Sequence, residues 1–178
     1  VSDGIRSACG GMFQVYLTED ILTETLYWLR KNNPLLNEEQ VGGIRRRLIR
    51  IFGDDSVITG YTIDESLSYR DVFDAHVHCA AVHGTIDMVL TANSADFDFA
   101  DADELSYEVY SPDEFFQLID DSNPRLVRQV TEEQMAYWVR RSGKALPGAL
   151  RDSGTPGFAE RVRVHLQSID VREVLGSA

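Results

Sequence analysis

Residues 70–97, RDVFDAHVHCAAVHGTIDMVLTANSADF, constrain the fold of this chain more than any other stretch. After Asp71 the small and apolar residues Val72, Ala75, Cys79 and Val82 recur at helical spacing. Ala80 and Ala81 widen that face, and Gly84 is placed to stop the helix. So small a face predicts a helix lying close against a sheet. Ile86, Met88, Val89 and Leu90 then form a short apolar run broken only by Asp87, the pattern of a strand covered on both faces and so parallel to its neighbours. Thr91, Asn93, Ser94 and Asp96 follow at its carboxyl end, where ligands bind in open α/β sheets.

Upstream, Phe13, Val15 and Leu17 alternate with Gln14 and Tyr16, which predicts a strand over 13–17. Thr18 is a suitable N-cap for a helix over 19–31, whose first turn carries Glu19 and Asp20 and which Pro34 closes. Asn37, Glu38 and Glu39 open a second helix running to about Phe52, with Val41, Ile44, Leu48, Ile49 and Phe52 inward. A strand is expected over 57–61 and another over 107–110. Ser111-Pro112-Asp113-Glu114 then has the form of a capped helix start. From Asn123 the pattern is helical throughout, with breaks at Gly143, around Pro147-Gly148 and over 154–157. Leu126, Val130, Met135, Tyr137, Trp138 and Val139 form one apolar stripe there, and Phe158, Val162 and Leu166 another. Alternating strands and helices followed by helices alone predict a doubly wound α/β domain over 1–121 and a helical extension over 122–178.

Composition narrows the function. Of 178 residues, 43% are hydrophobic and 26% charged, as in an ordinary globular protein, and the chain carries a net charge of -12. That balance argues against broad, non-specific gripping of nucleic acid. It leaves room for a nuclease, because a carboxylate site is itself acidic and basic residues cluster locally. Arg45, Arg46, Arg47 and Arg50 make one such group, and Arg161, Arg163, His165 and Arg172 another. No apolar run approaches a membrane span and the start VSDGIRSACGG lacks a signal-peptide core, so no membrane partner and a cytoplasmic location are expected. Cys9 and Cys79 read as buried thiols rather than a disulfide framework. The acidic turn over 97–105, with Asp98, Asp101, Asp103 and Glu104, lacks the glycine and terminal Glu of an EF-hand.

Glu24, Asp74, Asn93 and Asp96 are the residues this pattern assembles into a catalytic site. All can face the carboxyl edge of a parallel sheet. Crowded carboxylates do not ionise together without a counter-charge, and a divalent cation is the usual remedy. Glu24, Asp74 and Asp96, as oxygen-only ligands, select Mg2+ or Mn2+, and such a site supports metal-assisted phosphodiester hydrolysis. His76 and His78 are weaker candidates, although Asp74 and His78 lie one turn apart. No phosphate-binding glycine loop, nucleophile elbow, HExxH or paired CxxC is present.

The segments FQVYLTEDILTETLYWLRKNNP, DAHVHCAAVHGTIDMVLTANSADF, YEVYSPDEFF and PGFAERVRVHL together resemble PIN-domain proteins, in particular the longer VapC-type toxins of bacterial toxin–antitoxin systems. The middle segment is the most specific: an Asp opens a small-residue helix, and a strand then ends in Thr-x-Asn with Asp-Phe close behind. The resemblance implies a three-layer α/β/α sandwich with a central parallel sheet. It also implies Mg2+- or Mn2+-dependent endoribonuclease activity on an RNA substrate, a cognate antitoxin protein and a possible homodimer. Carried over, Glu24 matches the acid on the first helix, Asp74 the acid opening the later helix, and Asn93 with Asp96 the polar pair after the strand. PIN proteins open with a strand ending in an Asp-x-Asn-like motif that has no counterpart here. The expectation is therefore a truncated chain or one that recruits a replacement strand, an endoribonuclease whose competence as it stands hangs on a first acid not matched here. A catalytically silent binding or regulatory module is the alternative, and a receiver-like phosphoacceptor domain a more distant one, since Lys144 lies in the helical extension.

Overall fold

The computed structural model describes residues 12–97, 105–139 and 145–170, without the side chains of Asp54 and residues 136–139. The readings made on Cys9, on 98–104, on Gly143, Lys144 and Arg172, and on the side chains of Tyr137, Trp138 and Val139, lie outside the described residues. The fold is mixed α/β and mostly helical, with short parallel strands in two small sheets. It divides into two compact units, one formed by Val1–Val89 with Ala95–Glu108, the other by Leu90–Ser94 with Val109–Ala178. The second unit thus begins upstream of the 121/122 boundary suggested by composition.

In the first unit, β1 (Leu17–Thr18) pairs in parallel with β2 (Val57–Ile58), Leu17 opposite Val57 and Thr18 opposite Ile58. The expected strand over 13–17 is laddered only at its end, although exposure still alternates along it and Leu17 is buried. Between the two strands run α1 (Glu19–Asn32) and α2 (Glu38–Phe52). Thr18 caps α1 by accepting from the Ile21 N–H at 3.1 Å. Asn37 and Gln40 form a reciprocal capping box on α2, each bond 2.9 Å. Leu22 and Val41, each 2% exposed, anchor the two helices. Gly53 at φ 97° ends α2 in a backbone conformation that side chains rarely adopt.

A 3-10 turn over Val72–Asp74 leads into α3 (Ala75–His83), which buries Ala75, Cys79, Ala80 and Ala81. The small-residue face is used as expected. Immediately after α3, a Cβ on Gly84 would lie 2.9 Å from Ile58 Cδ1 and 3.2 Å from Ala80 O, so a side chain here would require Ile58 to shift. Cys79 is a free, buried thiol; it receives the Asp64 N–H at 3.4 Å and lies 3.2 Å from the Tyr69 hydroxyl.

β3 (Met88–Leu90) and β4 (Glu108–Tyr110) form the second sheet. The hydrogen bonds advance in the same direction along both strands: Glu108 N–H to Asp87 O at 2.9 Å in the first unit, Thr91 N–H to Tyr110 O at 3.0 Å in the second. The expectation that β3 is covered on both faces fails. Val89 is 6% exposed, but Met88 is 38% and Leu90 47% exposed, because a two-stranded sheet leaves alternate side chains without a covering layer.

The second unit contains α4 (Pro112–Ser122), α5 (Pro124–Val139), α6 (Leu146–Asp152) and α7 (Pro156–Gln167). Ser111 and Glu114 close the expected capping box on α4. Asp113 of α4 caps α7 from a distance, its carboxylate accepting from Gly157 N–H at 3.1 Å and Phe158 N–H at 2.8 Å. Phe116 and Phe158 stack with centroids 5.1 Å apart, and Ala159 and Val162 are buried. Pro147-Gly148 does not break the helix as expected. The pair sits in the first turn of α6, where proline is tolerated because its missing N–H would have no partner. Gly154, at φ 86°, makes the actual break before α7.

Candidate metal centre

Asp71, Asp74 and Asp96 bring carboxylate oxygens within 4.8 Å of one another. All three belong to the first unit and are half-buried. Local chemistry places them. Asp71 caps the 3-10 turn, accepting from the Phe73 N–H at 2.8 Å, and its carbonyl receives the Asp74 N–H at 3.2 Å. Asp74 follows three residues later at the start of α3, and Asp96 comes from the 3-10 turn Ser94–Phe97, anchored by the buried Phe97. Arg70 ties the two segments, its guanidinium donating to Ala95 O at 3.2 Å.

The electrostatics are those of carboxylates forced together. The Asp74 carboxyl is held above its ordinary pKa by burial first, then by the charges of Asp71 and Asp96 and a hydrogen bond with Asp96; His76 opposes the shift. These three oxygen donors lie close enough together to hold a metal ion.

The structure places the residues singled out in the sequence as follows. Asp74 and Asp96 come together. Asp71, which the sequence marked only as the helix opening, joins them. Its Asp-x-x-Asp spacing to Asp74 is the signal, since residues three apart at a helix start share a side. Glu24 lies exposed on α1 and is not a member of this group. Asn93 is exposed in the second unit, its N–H bonded to Thr91 Oγ1 at 3.1 Å.

Neither weaker histidine candidate belongs to the group. His78 is buried with Nδ1 2.7 Å from the Tyr107 hydroxyl, and burial lowers its pKa while pushing Tyr107 up to about 12. His76 Nδ1 donates to Phe73 O at 2.7 Å, and its Nε2 is buried without a partner among the described residues.

Of the two basic groups, the first is largely solvated and the second is engaged by acids. Arg45 is paired with Glu19 at 2.6 Å, while Arg46 and Arg47 are exposed on α2. In the second unit Arg161 is engaged by Asp120 and Asp121, Arg163 by Glu160, and His165 donates to the buried Asp120 at 2.7 Å. Arg161 and His165 tie α7 to α4, whereas the Arg163–Glu160 pair lies within α7. Among the described residues no helix is long and apolar enough to cross a membrane.

Comparison with protein-family models, curated proteins and solved structures found no match to this chain.

Proposed function

We propose that this chain is a metal-dependent endoribonuclease of the PIN type, the toxin of a type II toxin–antitoxin system. The reading includes the finer architecture of that family, a three-layer sandwich around a parallel sheet, together with a cytoplasmic location, a cognate antitoxin protein and a possible homodimer. One observation carries it: the mutual approach of Asp71, Asp74 and Asp96. These three would hold Mg2+ or Mn2+, which supplies activation of water and stabilisation of the charge developing on a phosphodiester. The chain itself keeps Asp71 and Asp74 in register through the capped 3-10 turn, and the crowding that raises the pKa of Asp74 is what a bound cation would relieve.

Incubating the chain with RNA in Mn2+ tests the proposal. Cleavage by the wild type and its loss in Asp74→Ala are expected; cleavage that survives the substitution removes the site.

A second reading, a catalytically silent PIN-like binding module, is favoured by the exposed position of Glu24 outside the acidic group. It predicts no cleavage and no response to Mn2+.

A further inference from the structure

His78 lies in the first unit between two tyrosines, one before α3 in the chain and one after it. Its Nδ1 is 2.7 Å from the Tyr107 hydroxyl, and its ring meets Tyr107 at 5.8 Å and Tyr69 at 6.0 Å between centroids. Tyr69 belongs to residues 59–71, a mostly exposed loop that forms no helix or strand. A closed cycle of three hydrogen bonds holds the middle of this loop to α3. The Asp64 N–H donates to Cys79 Sγ at 3.4 Å and the Tyr69 hydroxyl donates to Asp64 O at 2.9 Å. With its one proton so committed, the Tyr69 oxygen accepts from the Cys79 thiol at 3.2 Å. The ends of the loop are tied elsewhere, Tyr61 to the Asp20 carboxylate and Arg70 to Ala95 O.

We propose that His78 is an acid-sensitive latch on this loop: while neutral it backs the cycle of Asp64, Tyr69 and Cys79, and on gaining a proton it releases residues 62–69 from α3. A protonated imidazole has two N–H donors and a charge that must be hydrated or paired. Among the described residues the carboxylate that acts on His78 is Asp64, which stands in solvent with Oδ1 already accepting from the Ser66 N–H at 2.9 Å and hydroxyl at 2.6 Å. Tyr69, Cys79 and Tyr107 are the other titratable groups around it, and each is engaged in the bonds above. Burial accordingly holds the His78 pKa below its ordinary value, with the charge of Asp64 opposing. The closed form therefore takes up the proton less readily than the open one. Closure is complete above about pH 6.5, the ordinary imidazole value, and weakens as pH falls below it. The loop is the side that gives way, because Tyr107 is followed by Glu108, whose N–H is bonded to Asp87 O, whereas residues 62–69 have no ladder or helix to hold them. The latch depends on no cation and goes beyond the nuclease reading, although the loop it frees runs directly into Asp71.

The test uses the full chain with Cys9→Ser, which leaves Cys79 as its only thiol. Reaction of Cys79 with dithiodipyridine is followed on either side of the imidazole range and expressed relative to the same chain unfolded in urea, which removes the thiol's own pH dependence. The relative rate should rise by up to about ten-fold per pH unit below about pH 6.5, the limit set by one proton. Hydrogen exchange should quicken over residues 62–69 in the same range and stay unchanged over α3. His78→Asn, which keeps a donor near the Nδ1 position and does not titrate, should give a flat profile. A flat profile in the parent chain overturns the inference, as does an equal rise in His78→Asn. A parallel loss of helical circular dichroism also overturns it, because the unit would then be unfolding rather than unlatching. Should His78→Asn fail to fold, NMR titration of the His78 ring in the parent chain decides: a midpoint different from that of Cys79 reactivity sinks the latch. RNA cleavage plays no part in these readouts, so failure of the nuclease reading leaves them unchanged.

Discussion

Asp74 and Asp96 come from separate turns yet bring carboxylate oxygens within 4.8 Å of each other, and the pKa of Asp74 is raised by burial first and then by the charges of Asp71 and Asp96. Asp71 stands within reach of both, so the group holds more potential negative charge than it can express unaided.

A divalent cation should therefore stabilise the fold. Mn2+ at about one hundred times its dissociation constant adds about 2.7 kcal/mol by mass action, read as a rise in melting temperature. Asp74→Asn and Asp96→Asn should each abolish most of that rise, while Glu24→Gln should leave it. A rise undiminished in Asp74→Asn would show that the cation binds elsewhere.

The metal-free chain should respond to pH in a definite direction. Because the folded pKa of Asp74 is raised by burial and by its neighbours' charge, the folded state binds this proton more tightly than the unfolded state. The stabilisation is complete below the unfolded pKa and is lost as pH rises through the folded one. Asp74→Asn should flatten that decline and leave the metal-free protein more stable at neutral pH, by no more than about 1 kcal/mol since the site is open to solvent. Urea melts across the acid range measure it, and a decline of the same slope in Asp74→Asn would refute the assignment.

The long-range cap on α7 should be a stability determinant. Asp113→Ala frees the N–H groups of Gly157 and Phe158 and should cost about 1–2 kcal/mol. Gly157→Ala should destabilise through the same contact, because its Cβ would lie 2.5 Å from Gln117 Nε2 and 2.9 Å from Asp113 Oδ2. Denaturant midpoints of the two single variants and the double variant check this: full additivity would mean the two changes act separately.

Tyr107→Phe should cost about 1–3 kcal/mol by leaving the buried His78 Nδ1 without the hydroxyl. The same variant should leave Mn2+ affinity unchanged, since neither residue belongs to the acidic group. A loss of affinity larger than the loss of stability would place His78 nearer the cation than its hydrogen bond allows.

Helix starts were the most legible part of the chain. Thr18, Asn37 and Ser111 satisfy N–H groups three residues away, so everything needed to recognise them lies within one turn of sequence. The small-residue face of α3 was legible for the same reason, since its period is local. The strands were less so. Phe13 and Val15 have strand-like alternation, but among the described residues the ladder covers Leu17 and Thr18, whose partners Val57 and Ile58 lie far along the chain. The basic residues of α7 looked like a cationic patch, and only folding brings Asp120 and Asp121 to Arg161 across some forty positions.

By itself the sequence determined the helices, their caps and the helical spacing that pairs Asp71 with Asp74, all consequences of contacts within a few residues. Tertiary structure alone decided that Asp96 joins them while Glu24 stays at the surface of α1. Which carboxylates share a cation depends on where two separate turns are held in space, and no local rule of spacing encodes that distance.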